Sequence, residues 1–203
     1  MRMRKKKWVP SFLEQEKEYL IDDLKGYKEE RPVYIEIGMG MGDFITQSAA
    51  MHTDIFYAGL EREDTCVARA IKKARDLDLK NLKFIHGDAM NVEELFDESS
   101  IDLIYLHFSD PWPKKRTHKR RLTYPTFLKS YEKVLKKDGI LIFKTDNQDF
   151  FADSLTYFET SNFELIEKDE DYYREGEPMT AYQAKFHSEG KPICYAKYKI
   201  NKV

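Results

Sequence analysis

The sequence predicts an α/β fold in which a seven-stranded, mostly parallel sheet carries helices on both faces. Short apolar runs of β type alternate with longer segments of helical periodicity, which is typical of parallel strands joined by helices. The chain has 203 residues, of which 41% are hydrophobic, enough for one core. Since no repeat, low-complexity tract or linker divides it, we expect a single domain over residues 1–203. Within it, residues 1–25 are expected to form a basic arm and a helix packed on the rest.

Each predicted strand is an apolar run bounded by turn residues. In order, the strands cover residues 33–37, 55–60, 82–86, 101–107, 140–144, 163–167 and 193–200. Helical spacing predicts an outer amphipathic helix over residues 10–24 and helices over 43–51, 63–79 and 148–158. One more helix is expected to have Thr123 as its N-cap and Pro125 in its first turn, and to end at Gly139.

Composition excludes several classes of protein. No run approaches the roughly 18 apolar residues that cross a bilayer. The basic start is followed by Trp8 and acidic residues instead of an apolar signal segment, so we expect a cytoplasmic protein without a membrane partner. Cys66 and Cys194 lie far apart without metal-ligand spacing, and we expect reduced thiols and no metal site.

The net charge of −2 hides a segregated pattern. Two blocks without any acid hold 11 of the 34 basic residues: Arg2, Arg4, Lys5, Lys6 and Lys7, then Lys114, Lys115, Arg116, Lys119, Arg120 and Arg121. The whole chain has 36 acidic residues, so the remainder is strongly acidic. This segregation favours a protein that binds a polyanion on one face. For the first block alone, a solvated basic tail is an equal alternative.

Five acidic residues follow five successive predicted strands. They are Glu36, Glu61, Asp88, Asp110 and Asp146. Parallel strands joined by helices place ligands beyond their carboxyl ends, so these side chains are expected to converge on one site. Taken singly, each acid is better explained as a solvated turn residue or helix cap.

The first of these acids precedes alternate glycines, Gly38, Gly40 and Gly42, between a strand and a helix. Backbone without Cβ lets a ligand approach closely. A dinucleotide motif would have a third glycine at position 43, whereas Asp43 complements the helix dipole and would repel phosphate. A cofactor without phosphates fits better, and zwitterionic S-adenosylmethionine tolerates a nearby acid such as Glu36.

Two further acids suit the same cofactor. Glu61 lies 19 residues after Gly42, where a carboxylate can accept hydrogen bonds from both ribose hydroxyls. Asp88, followed by Ala89, can accept from the adenine amino group. The glycine pattern alone is weak evidence, and a tight turn between strand and helix remains the alternative.

The loop Ser109–Arg116 combines a carboxylate, two prolines, a tryptophan and dense positive charge. Asp110 can accept from base N–H groups, and the cations can neutralise phosphates, so the loop suits a nucleobase on a phosphate backbone. Trp112 either stacks on a base or packs as a wedge between the prolines. His86, His107 and His118 have no pattern that suggests acid–base chemistry.

These motifs together resemble the bacterial tRNA (guanine-N7-)-methyltransferases, which are S-adenosylmethionine-dependent enzymes with the Rossmann-like class I methyltransferase fold. The resemblance runs nearly end to end. It rests on Arg2-Met-Arg4 with Trp8, on the segments 36–42, 59–61, 108–116, 119–122 and 143–147, and on Thr180-Ala-Tyr182. The string Ser-Asp-Pro-Trp-Pro-Lys-Lys-Arg is highly specific for that family.

The resemblance implies a role for each matching residue. Glu36, Glu61 and Asp88 would bind the cofactor, and Asp110 would lie at the catalytic centre. Lys114, Asp146, Thr180 and Tyr182 would contact the target nucleotide. The tRNA would be contacted by Arg116, His118, Lys119, Arg120 and Arg121, and its target in the family is guanine 46 of the variable loop. The family usually has Glu where this chain has Gln183, which leaves the role of that position open.

Guanine N7 has a free lone pair and no proton to remove, so alignment with the methyl group should dominate catalysis. We expect Asp110 to accept from guanine N1–H and N2–H and to stabilise the developing positive charge. The alternatives are a class I methyltransferase acting on another base or a small molecule, a catalytically silent RNA-binding module, and a nucleotide-dependent oxidoreductase, which Asp43 disfavours. The sequence is compatible with a monomer or a homodimer.

Overall fold

The computed structural model describes residues 6–202 and contains a seven-stranded sheet. Its strands are β1 (Val33–Ile37), β2 (Phe56–Glu61), β3 (Leu82–His86), β4 (Ile101–His107), β5 (Leu135–Thr145), β6 (Phe163–Asp169) and β7 (Cys194–Ile200), in the order β3-β2-β1-β4-β5-β7-β6. The first five are mutually parallel, and β7 runs antiparallel to β5 and β6. The predicted fold class is confirmed.

Helices cover both faces of the sheet. They are α1 (Val9–Gln15), α2 (Asp43–Met51), α3 (Asp64–Asp76), α4 (Val92–Leu95), α5 (Pro125–Val134), α6 (Gln148–Glu159) and α7 (Ala181–Ser188). One apolar cluster joins α2 and α3 to one face, and a second joins α4, α5 and α6 to the other. Since β2 alternates, with Phe56, Ala58 and Leu60 in one cluster and Tyr57 in the other, its central position needs apolar residues throughout.

The predicted helix over residues 10–24 is wrong in its extent. Helix α1 ends at Gln15, a 3-10 turn covers Lys17–Tyr19, and the chain then runs beside β3. The Ile21 N–H donates to the Phe84 carbonyl at 3.0 Å, and Leu20 forms a parallel bridge with Phe84. The segment protects a free sheet edge, and this contact outweighs its helical periodicity. Arg2, Arg4 and Lys5 lie outside the described residues.

The helix predicted to end at Gly139 is also shorter. Helix α5 ends at Val134, because Leu135 already pairs with Ile101 in the sheet. Gly139 lies inside β5, next to Asp138 with a φ of +63°. Thr123 is not the N-cap: its hydroxyl lies 2.8 Å from that of Ser154, in a buried pair that joins the start of α5 to α6. Tertiary contacts therefore replace the predicted local cap.

Several helical segments were not predicted. They include α4, the 3-10 helix that the basic block forms over Lys115–Arg120, and α7. Cys66 is half-buried and Cys194 is buried, both as free thiols. In residues 6–202, no helix has the length and apolar character needed to cross a membrane.

Candidate active site

The five acidic residues lie at one edge of the sheet, as predicted. Because β3, β2, β1, β4 and β5 are adjacent and parallel, their carboxyl ends meet there. The chain leaves β1 toward β2 on one side, and β4 lies on the other side. This reversal between β1 and β4 is the switch point where open α/β sheets bind ligands. We call the carboxyl ends of β1 and β4, with the loops that follow them, the switch-point site.

The glycine turn after β1 leaves backbone open to a ligand. Gly38, Gly40 and Gly42 have φ values of +75°, +57° and +72°, in the left-handed region that favours glycine. A Cβ on Gly40 would meet no atom within 4 Å, and one on Gly38 would meet only Leu122 at 3.5 Å. The space over these two glycines suits the close approach of a cofactor.

Gly42 has a different constraint. It is buried, and a Cβ there would lie 2.6 Å from the Cβ of Ala70 on α3. We expect Gly42→Ala to lower the free energy of unfolding by about 2–4 kcal/mol, because overlap with α3 adds to left-handed strain. Urea denaturation measures this loss. Gly40→Ala is the matched control, and an equal loss there would contradict a packing role specific to Gly42.

The carboxylates of β2 and β3 also contact the backbone around the site. Glu61 accepts from the Gly40 N–H at 3.0 Å and, through its other oxygen, from the N–H groups of Arg62 and Glu63. Asp88 is exposed, accepts from the Met90 N–H at 2.9 Å, and caps the short helix that begins at Ala89. Glu61 thus holds the glycine turn against the end of β2.

Asp43 does not carry free negative charge at the start of α2. Lys73 on α3 forms an ion pair with it at 2.5 Å and also donates to the Met41 carbonyl at 2.8 Å. The lysine holds the glycine turn from outside and compensates the carboxylate. Because Lys73 compensates its charge, Asp43 disfavours a phosphate less than the sequence predicted.

Glu36 and His107 form a buried pair between β1 and β4. His107 Nδ1 lies 3.1 Å from Glu36 Oε1, and each side chain is at most 2% exposed. Burial raises the pKa of Glu36 well above its usual value, an effect that nearby Lys144 opposes. Burial also lowers the pKa of His107, and Lys144 adds to that shift. Burial therefore favours the neutral form of each group, with a proton on the carboxyl group.

Asp110 is exposed on a loop with a constrained backbone. Phe108 and Trp112 have positive φ values of +50° and +41°, which are rare for bulky residues and cost of order 1–3 kcal/mol each. The Phe108 N–H donates to the Lys144 carbonyl at 2.9 Å and so joins the loop to β5. Such strain persists where surrounding contacts fix the conformation, and it is common at functional sites.

Arg121, predicted to contact RNA, instead contacts the backbone of the Asp110 loop. It is 2% exposed; its Nε donates to the Pro111 carbonyl at 2.7 Å and its Nη1 to Asp153 at 2.7 Å. The guanidinium also lies 5.0 Å from the Phe150 ring centre. The structure does not support direct contact with RNA, because these neighbours enclose the side chain. Arg121 anchors the Asp110 loop to α6.

The other residues of the second basic block form an exposed cationic surface beside that loop. We call it the basic turn; its members are Lys114, Lys115, Arg116, Lys119 and Arg120. The Arg120 guanidinium lies 5.0 Å from the ring centre of Trp112, which covers one face of the indole. His118 is half-buried, with Nδ1 at 3.2 Å from the Tyr157 hydroxyl. Five cations are thus presented next to Asp110.

Helix α7 brings a second set of predicted residues to the site. Thr180 caps it by accepting from the Gln183 N–H at 2.9 Å. Tyr182 is 60% exposed, and its ring lies 6.2 Å from that of Phe108 at an interplanar angle of 24°. Gln47 on α2 donates to the carbonyl of Met179, at 3.0 Å, which fixes the start of α7 near the glycine turn. Asp146 is exposed just beyond β5.

Gln183 points inward and contacts a buried lysine that sequence analysis did not select. Its Oε1 lies 3.5 Å from Lys144 Nζ, and both residues are at most 3% exposed. The Lys144 ammonium lies 4.4 Å from the ring centre of Tyr172. Burial lowers the pKa of Lys144 to about 8. A lysine in the apolar strand 140–144 was the only signal available in the sequence.

Gln183→Glu should raise the pKa of Lys144, because a carboxylate would replace the amide beside the buried ammonium. In the wild type, the folded state loses this proton near pH 8, whereas an unfolded lysine keeps it to about pH 10.4. Unfolding free energy should therefore rise by about 2 kcal/mol more between pH 7.5 and 10 in the wild type than in Gln183→Glu. Denaturant melts of both proteins across this range measure the difference, and equal slopes would contradict it.

Comparisons with known proteins agree with this geometry. Residues 30–196 match a family model described as "Putative methyltransferase". A tRNA (guanine-N(7)-)-methyltransferase from Mesoplasma florum is 44% identical, over 95% of this chain and 96% of its own length. The chain belongs to the tRNA (guanine-N(7)-)-methyltransferase family. Relatives of the same name from Bacillus subtilis and Staphylococcus epidermidis are each 39% identical, over at least 97% of both chains.

Solved structures confirm the class I methyltransferase fold of this tRNA (guanine-N(7)-)-methyltransferase family member. The 16S rRNA methyltransferase KamB has a TM-score of 0.66, with 12% identity over 100% of this chain and 98% of its own. A SAM-dependent methyltransferase from Aquifex aeolicus has a TM-score of 0.62, with 14% identity over 95% and 94%. The family uses S-adenosylmethionine, and the region matched by the family model contains all five acids of the site.

Proposed function

We propose that this chain transfers the methyl group of S-adenosylmethionine to N7 of guanine 46 in the variable loop of tRNA. One observation carries the proposal: the constrained loop with Asp110 follows β4, which pairs in parallel with β1 before the glycine turn, and the loop leads directly into the basic turn. The site therefore combines three neighbouring parts. These are the glycine turn for the cofactor, Asp110 for base recognition and the basic turn for phosphates. Family membership supplies the reaction class.

The residues present fit S-adenosylmethionine. The space over Gly38 and Gly40 admits a ligand to the backbone, and Glu36 Oε2 is buried without a partner among the described residues. Glu36, Glu61, Asp88 and Ala89 would hold the cofactor along the ends of β1 to β3. When bound, it supplies an activated methyl group on a cationic sulfur.

Asp110 is assigned the recognition of guanine. Its carboxylate accepts from N1–H and N2–H, whereas adenine has no donor at N1 and so cannot provide the same pair. No general base is needed, because N7 carries a lone pair and no proton. The loop contributes alignment, and Asp110 stabilises the positive charge that develops on the purine.

The surroundings of Asp110 suit an extruded nucleotide. Tyr182 and Phe108 offer an aromatic surface at the edge of the site, and Lys114, Asp146 and Thr180 are assigned to the target nucleotide. The basic turn is assigned to flanking phosphates, which accounts for its lack of acidic residues. Gln183 is assigned to the support of Lys144 and not to direct substrate contact, since it is buried.

Two tRNA transcripts that differ only at position 46 test the proposal. With methyl-labelled S-adenosylmethionine, we expect label in the transcript with guanine 46 and background in the one with adenine. Label in both would favour a methyltransferase acting on another base. Binding of both transcripts and of the cofactor, without label, would favour a silent RNA-binding module.

A further inference from the structure

Buried side-chain atoms without partners concentrate at the switch-point site. Residues 6–202 contain four such atoms, and three are Glu36 Oε2, His107 Nε2 and Ser109 Oγ. The fourth is the hydroxyl of Tyr131 on α5. Buried polar atoms in native proteins are nearly always hydrogen-bonded, so this concentration calls for an explanation. The glycine turn begins two residues after Glu36, and His107 ends the strand that leads to Asp110.

The orientation of the Glu36 carboxyl group is fixed by its neighbour. His107 Nδ1 lies 3.1 Å from Oε1, and the imidazole is packed edge-on against the Phe44 ring, with centres 4.4 Å apart. The centre of the Tyr105 ring lies 5.2 Å from that of the imidazole. The ring can therefore direct a donor to only one carboxyl oxygen, and the other is left free.

Three charged groups and one neutral imidazole surround this carboxyl group. The charged groups are Lys144 from β5, Asp43 from α2 and Glu61 from β2, and the imidazole is that of His107 from β4. Lys144 itself faces Glu177 and Arg174 from the loop before α7. Asp43 is paired with Lys73, and Glu61 is bound to backbone N–H groups, so only Lys144 favours ionisation of Glu36. Burial outweighs it, and the pKa of Glu36 is raised.

We propose that Glu36 and His107 form a proton-coupled counterion for the cationic cofactor, with His107 as its positioning residue. The inference rests on the proposed function, because it takes the glycine turn as the cofactor seat. Without the cofactor, burial and the lack of a partner for Oε2 among residues 6–202 favour the protonated Glu36 carboxyl group. A cation on the turn favours the carboxylate, the O–H bond breaks, and the proton passes to solvent. In the tautomer with its proton on Nδ1, the neutral His107 imidazole then donates to Oε1 and stabilises the charge that results.

Calorimetry of the full chain tests the coupling. S-adenosylmethionine is titrated in two buffers of different ionisation enthalpy between about pH 5.5 and 6.5, at least one pH unit below the range in which an α-amino group titrates. For the wild type we expect release of close to one proton per bound cofactor and tighter binding as pH rises. Glu36→Gln should release none and show no such pH dependence.

Two variants separate positioning from packing. His107→Asn keeps an N–H donor that can reach Oε1, so it should retain proton release and affinity within a few-fold. His107→Leu fills the space without a donor and should weaken binding by on the order of 10- to 100-fold, with the pH profile shifted upward. Melting curves of both variants confirm that they fold.

The outcomes distinguish this inference from the proposed function. Wild-type binding without proton release would overturn the inference alone, as would equal affinities and equal pH profiles for the Asn and Leu variants of His107. Failure of the wild type to bind either S-adenosylmethionine or S-adenosylhomocysteine would overturn the cofactor seat and with it the proposed function.

Discussion

Replacing Asp110 by asparagine is expected to lower turnover by about 10²–10³-fold, the size typical of losing one group that stabilises transition-state charge. The variant keeps the loop's shape but loses the negative charge, and its amide has an NH₂ group where the carboxylate offered a second acceptor for guanine N1–H and N2–H. Cofactor affinity should stay unchanged, because Asp110 lies after β4 and the proposed cofactor residues follow β1 to β3. Single-turnover kinetics with saturating tRNA measure the chemical step.

Asp54→Asn is a matched control for Asp110→Asn. Asp54 is likewise exposed but precedes β2, at the opposite end of the sheet from the site. We expect its turnover to match that of the wild type. Near-normal turnover of Asp110→Asn would contradict the role assigned to this carboxylate and would leave alignment by the rest of the loop as the source of catalysis.

Arg121→Met should lower the free energy of unfolding by about 2–3 kcal/mol and reduce turnover, while leaving the salt dependence of tRNA binding unchanged. The arginine holds the Pro111 carbonyl and pairs with Asp153, and removing it leaves that carbonyl without its donor. We expect a smaller loss of unfolding free energy than for a fully buried ion pair, because Asp153 is 46% exposed. Urea melts and salt titrations of tRNA affinity give the two quantities.

Lys119→Gln is the counterpart from the basic turn. It should fold as stably as the wild type but reduce the slope of log affinity against log salt by about 0.7–0.9, the value for one lost phosphate contact. A reduced slope for Arg121→Met, with unchanged stability, would mean that Arg121 contacts RNA after all.

Much of the sheet could be predicted because central strands need continuous apolar runs. Strands β1, β3 and β4 have the predicted bounds, and so does α2, which begins directly after the glycine turn. The helix predicted over residues 10–24 was too long. These residues do have helical periodicity, but the later ones form hydrogen bonds with the edge strand β3 that a longer helix would lose. The end predicted for α5 at Gly139 was wrong for a related reason, because strand pairing already begins at Leu135.

The convergence of the acids on one site could be predicted, because the carboxyl ends of parallel strands lie on the same side of the sheet. Burial could not be predicted from residue type. Arg121 and Lys119 look alike in sequence, yet one is enclosed by Pro111 and Asp153 and the other faces solvent. The three glycines also look alike, although the close contact of Gly42 with Ala70 depends on how α3 returns to the sheet. The burial of Lys144 could not be predicted either, because it depends on α7, which places Gln183 against the ammonium.

The identity of the modified nucleoside tests the central claim most directly. The purified protein is incubated with methyl-labelled S-adenosylmethionine and an unmodified tRNA transcript that carries guanine 46, and the RNA is digested to nucleosides. We expect the label in 7-methylguanosine. Label in any other nucleoside, or none despite demonstrated binding of cofactor and tRNA, would contradict guanine N7 methylation by this site.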